Sequence, residues 1–95
     1  MKILWQPQAL QDLQSVHRYI TSDNLTAANS VVLELAALVN DQLSMFPESG
    51  RGGRVEGTRE LVVSNSPFVV PYRIKNDVIE VLGVHHASRR WPDNL

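Results

Sequence analysis

The 95-residue chain contains no cysteine, so neither disulfides nor thiolate metal sites can hold it together. Lysine is almost as scarce, with Lys2 and Lys75 the only two. No stretch approaches the roughly 20 apolar residues needed to span a bilayer. The opening MKILWQPQAL carries one lysine and no apolar run, so it does not read as a signal peptide. These absences fit a cytoplasmic protein with no membrane partner. A strong excess of one charge is also missing: the formal net charge is −1. Proteins that rely on non-specific attraction to nucleic acid usually carry a much larger basic excess.

What is present is an ordinary globular composition, 43% hydrophobic and 20% charged, enough for a single domain over residues 1–95. Charge is uneven along it. Residues 1–50 hold two basic and five acidic residues, whereas residues 51–95 hold seven basic and five acidic ones. Six of those seven are arginines. A local basic patch contributed by the second half is therefore available.

KILW (2–5) is short, apolar and bounded by Pro7, which predicts an opening strand. Pro7 suits a first helical turn, where its missing N–H costs nothing. Leu10, Leu13, His17 and Ile20, with Val16 beside them, predict an amphipathic helix over 7–21. Asp23 or Asn24 can cap a second helix, which carries Ala28, Val31, Leu35, Leu38, Val39 and Gln42 and stops at Pro47. ESGRGGR (48–54) reads as a loop. TRELVV (58–63), FVVPYRI (68–74) and VIEVLGVHH (78–86) read as three strands, joined by SNSP and by a tight turn at KND (75–77). Pro71 removes a ladder donor and so predicts a local irregularity, or an N–H position facing away from any partner. The predicted fold class is α+β: a strand, an antiparallel helical hairpin, then a three-stranded antiparallel meander.

Candidate functional residues gather late in the chain. GVHHASRRWP (83–92) holds His85, His86, Arg89, Arg90 and Trp91, while Arg59 and Arg73 lie on neighbouring strands. Histidine carries protons near neutral pH, and arginine's planar fork suits phosphate. In a continuous final strand, however, adjacent side chains point to opposite faces. His85 would then share a face with Ile79 and Val81, and His86 with Glu80, Leu82 and Val84. At most one histidine lines a site. Arg73 stands mid-strand among apolar residues and needs a partner. Arg59 and Glu60 fall on opposite faces, leaving one of them for solvent. RGGR (51–54) lacks the lysine and the strand-to-helix context of a nucleotide-binding loop, though Arg51 and Arg54 suit phosphate or an acidic surface. His85, His86 and Asp93 chelate poorly as a set, so no metal and no cofactor is expected. Trp5 is expected in the core.

The succession GRGGRVEGTRELVV, PFVVPYRI, VIEVLGVHHASRRWP resembles the RelE/ParE superfamily of bacterial toxins, over nearly the whole chain from KILW to RRWP. The resemblance implies the toxin of a type II toxin–antitoxin pair, neutralised by a cognate antitoxin protein. It implies one of two targets: DNA gyrase, poisoned by ParE-like members, or the ribosome and its mRNA, cut by RelE-like members. The second would use His85 or His86 with Arg73. The superfamily's nucleases carry a lysine-rich surface, or else a Glu/Arg/His/Tyr set with histidine and tyrosine at the C-terminus. Here lysine is scarce and no tyrosine follows the last strand, so the resemblance is closer to the ParE branch. Under that reading Arg59, Arg73, Arg89, Arg90 and Trp91 act as target-binding anchors. The outer edge of the stripe Val31, Leu35, Leu38 is the expected antitoxin seat.

Overall fold

Two helices and a mixed sheet follow the expected order in the computed structural model, which describes residues 1–21 and 25–87. They are β1 (Lys2–Trp5), α1 (Pro7–Thr21), α2 (Leu25–Met45), β2 (Arg51–Gly52), β3 (Arg59–Val62), β4 (Phe68–Lys75), β5 (Val78–Val81) and β6 (His85–His86). The sheet order is β1-β5-β4-β3-β2, with β6 paired to β4. β1 runs parallel to β5, and the other neighbours are antiparallel. The predicted α+β class and the meander β3-β4-β5 are present. Two details differ. The expected loop 48–54 contains the short strand β2, and the expected final strand is split at residues 82–84. The proposed caps Asp23 and Asn24 lie outside the described residues.

Both helices are turned relative to the apolar stripes chosen from spacing. In α1 the buried positions are Ala9 and Leu13, with Val16 packed against the core, while Leu10 is half exposed. In α2 the inward row is Val32, Leu35, Val39 and Leu43, while Leu33 and Leu38 face outward. Apolar residues surround much of α2, so periodicity alone leaves its rotation open. His17 Nε2 meets Asn29 Oδ1 at 2.6 Å, tying the two helices together. Trp5 packs against the core as expected and donates its indole N–H to Asn40 Oδ1 at 3.0 Å, which ties β1 to α2.

The helices cover the face that carries Leu61, Val70, Tyr72, Ile79 and Val81. Tyr72 is fully buried at its centre. Its hydroxyl donates to Pro47 O at 2.8 Å and accepts from the Gly50 N–H at 2.9 Å, so it pins the connection from α2 to β2.

Pro71 accounts for the split in the last strand. Its carbonyl accepts from the Leu82 N–H at 2.9 Å, so its donorless nitrogen also faces the β5–β6 side of the sheet. There the ladder breaks. Tyr72 pairs with Val81 before the break, and Val69 pairs with His85 after it, a register offset of one residue. One extra residue on the last strand behaves as a bulge, and a one-residue slip moves the following side chains to opposite faces. The β4–β5 turn is tighter than predicted. It consists of Asn76 and Asp77 alone, both at positive φ (53° and 61°), as a two-residue type I′ connection requires.

Candidate functional site

Cross-strand partners share a face, so the register defines the side of the sheet away from the helices. It carries Arg51 and Glu60, Pro71, Arg73 and Glu80, and Val69 with His85. Glu60 is the only buried charged residue among those described, at 3% exposure. Its Oε1 accepts from Arg51 Nε at 3.2 Å and Nη2 at 3.1 Å. Its Oε2 accepts from the Arg54 backbone N–H at 3.1 Å and lies 3.8 Å from Arg54 Nε. A buried carboxylate is tolerable only with such pairing. Glu60 thereby fixes the RGGR segment and fans two half-exposed guanidinium groups over the face.

Arg73 has the partner it needed. Its Nε donates to Glu80 Oε1 at 2.7 Å, and the Gln6 amide donates to the other carboxylate oxygen. The Glu80 carboxyl is held below the usual carboxylate range, chiefly by the Arg73 hydrogen bond. Partial burial opposes this, and the charges of Arg73 and Lys75 and the Gln6 bond reinforce it.

The bulge exchanges the expected sides of the histidines. His85 lies on the arginine-bearing face instead of sharing one with Ile79 and Val81. His86 lies on the helix side, its ring edge-to-face with Phe68 at 6.0 Å. The two histidines thus fall on opposite faces, as expected, with the faces reversed. His85 is part-buried, and burial pushes its imidazole below the ordinary histidine value. Asp12 opposes that shift, Arg54 adds to it and Glu60 opposes it. Asp12 on α1 also accepts the Val84 N–H at 2.9 Å, clamping the bulge to the helix.

Arg59 stands apart from this face. Its Nη1 donates to the carbonyls of Glu48 at 3.1 Å and Gly50 at 3.0 Å, so it braces the approach to β2. Neither member of the Arg59–Glu60 pair is left to solvent, contrary to expectation. Arg89, Arg90 and Trp91, with Asp93, lie outside the described residues. Of the expected antitoxin seat, Leu35 is buried at 3%, Val31 is part-buried and Leu38 is 52% exposed. Sequence reasoning passed over Glu60 and Glu80 as site members. Glu80 carried a usable signal, since it is as far after Asn76–Asp77 as Arg73 is before it, and a two-residue turn makes them cross-strand neighbours.

Comparison with known proteins agrees with this architecture. The model of the family described as ParE toxin of type II toxin–antitoxin system, parDE, matches residues 3–91. The chain is 44% identical over 94 residues to "Putative toxin Y4kP" of Sinorhizobium fredii, covering 99% of this chain and 96% of that protein. It is 32% identical over 88 residues to Toxin RelE2 of Caulobacter vibrioides, covering 93% and 97%. Among solved structures it resembles one titled chromosomal ParDE TA system from P. aeruginosa. That match has a TM-score of 0.81 and 26% identity, covering 90% of this chain and 95% of the other.

Proposed function

We propose that this chain, which belongs to the ParE toxin family of type II toxin–antitoxin systems and so has a cognate antitoxin, arrests growth by binding DNA gyrase. One observation carries the choice of target. On the open face, Arg51 and Arg54 are tied to the Glu60 carboxylate and Arg73 to that of Glu80, so each of these cations already faces an anion. Phosphodiester cleavage needs unopposed cations around the phosphorane and a proton carrier on each side of it. A protein interface tolerates paired charges and uses the arginines as anchors. Arg73, with Arg89, Arg90 and Trp91 from the C-terminal segment, forms the gyrase contact in this reading, and the toxin acts in the cytoplasm.

The test is purified toxin added to gyrase and supercoiled or relaxed plasmid. Inhibited supercoiling or a trapped cleaved complex is expected, and Arg73→Ala should weaken it at least severalfold. Arrest of growth with gyrase unaffected would overturn the reading. One feature favours a second reading, ribosome-dependent mRNA cleavage: His85 stands on the arginine-bearing face, close enough to Arg54 and Glu60 to feel their charges. That reading requires cuts in translated transcripts by primer extension, abolished by His85→Ala. Their absence in arrested cells removes it.

A further inference from the structure

One row of the open face runs Arg73, Glu80, Leu4 across β4, β5 and β1. In the Arg73–Glu80 pair the guanidinium is 39% exposed and the carboxylate 16%, so the anion is set deeper than the cation it holds. Glu80 is oriented from two sides, by Arg73 Nε on β4 and by the Gln6 amide from the junction of β1 and α1. The Gln6 backbone N–H is bonded to Val81 O at 2.9 Å, so its amide reaches Glu80 from a fixed base. The bond to Glu80 uses Arg73 Nε and leaves the Nη hydrogens for a further acceptor. Leu4, the next side chain in the row, is 41% exposed. Glu60 repeats the arrangement on the other side of β4, holding Arg51 through Nε and Nη2.

We propose that Glu80 is a specificity residue: it holds Arg73 in place while cancelling its charge, so that this part of the face accepts a protein surface and rejects nucleic acid. The role rests on the reading of the face as a protein contact. A part-exposed ion pair adds little to stability, because water and salt screen it. Its effect on an approaching ligand is larger. A phosphate oxygen bonded to an Nη hydrogen of Arg73 would stand well inside the screening length of about 8 Å from the Glu80 carboxylate. Repulsion from that carboxylate then offsets attraction to the guanidinium. A neutral carbonyl oxygen meets no such repulsion and still receives a directed N–H. Leu4 adds apolar surface, which suits a protein partner and gives a phosphate backbone nothing to bind.

Fluorescence anisotropy with the full-length toxin and labelled single-stranded RNA or duplex DNA tests this. Wild-type toxin should bind either one more weakly than about 10⁻⁵ M at physiological salt, the middle of the non-specific range. Glu80→Gln keeps an acceptor for Arg73 Nε and removes only the charge. It should raise affinity for both nucleic acids at least fivefold, with a salt dependence steeper by about one phosphate contact. Adding Arg73→Ala to that variant should abolish the gain. Glu34→Gln, which removes an exposed charge from α2 on the other side of the sheet, should change affinity less than twofold. An unchanged affinity in Glu80→Gln overturns the proposal, as does a gain that survives Arg73→Ala or that Glu34→Gln reproduces. Wild-type toxin that binds RNA or DNA more tightly than about 10⁻⁵ M overturns it with no variant involved, so misfolding of a variant cannot protect it. No arm uses gyrase, so a wild-type toxin that leaves gyrase unaffected counts against the choice of target alone.

Discussion

Gly50→Ala is the substitution whose cost follows most directly from geometry. A Cβ at Gly50 would lie 2.6 Å from Tyr72 Cε1, 2.7 Å from its hydroxyl oxygen and 3.0 Å from Cζ. That is about 1 Å inside ordinary contact. The obstacle is a rigid, fully buried ring, so it has to move. Overpacking of this kind costs about 1–3 kcal/mol. Moving the ring also strains or breaks the hydroxyl's bonds to Pro47 O and the Gly50 N–H, at about 1 kcal/mol each. A total near 3–5 kcal/mol is a large share of the roughly 5–15 kcal/mol that holds a small domain folded. For a chain of this size it should lower Tm by roughly 12–40 °C. Urea denaturation and thermal melting followed by circular dichroism measure it, and Tyr72→Phe completes a double-mutant cycle. Tyr72→Phe alone should cost about 1–3 kcal/mol, because it leaves two backbone groups without their partner. The double variant should be destabilised by less than the sum, since the hydroxyl's bonds are lost only once. A Gly50→Ala protein within about 0.5 kcal/mol of wild type, or strict additivity, would refute the reasoning.

Two further outcomes follow from the bulge and the turn. Burial lowers the His85 pKa in the folded protein, so the unfolded chain binds the extra proton first as pH falls below its ordinary value of about 6.5. Stability should therefore drop from pH 7 toward pH 5. His85→Gln should flatten that part of the profile, and an unchanged slope in chemical denaturation would sink the assignment. Asp77 holds a left-handed conformation that glycine adopts without steric cost, so Asp77→Gly should raise stability by up to about 1 kcal/mol. A lower Tm for that variant would contradict the type I′ turn.

Much of this fold is written in local signals. Pro7, the polar face of α1, Pro47 and the apolar runs of β1, β3 and β4 each placed an element within a residue or two, and the start of β5 fell at the expected Val78. The rotation of the helices was not legible, because Leu33, Leu38 and Leu43 are chemically alike and only the facing sheet distinguishes them. The histidine faces were hidden for another reason. Pro71 announced an irregularity, but the direction in which it shifted the neighbouring strand depends on pairing across the sheet. Arg73 was found from its own environment, as a charge among apolar neighbours. Glu60 escaped because its burial depends on two arginines reaching over from a loop that carried no strand signal.

The one-residue offset between β5 and β6 has a consequence for comparing members of this family. Side chains beyond Leu82 are assigned to faces by parity counted through the break in the ladder, so an alignment of two members that differ there by one residue conserves faces only if it places a gap at the break. Counting forward from Val81 without a gap matches the histidine of one relative with a residue on the other side of the sheet in another. A single insertion or deletion between Val81 and His85 would exchange His85 for His86 on the arginine-bearing face, with every other element left in place. Evolution thus has a one-codon route to changing which chemical groups that surface presents.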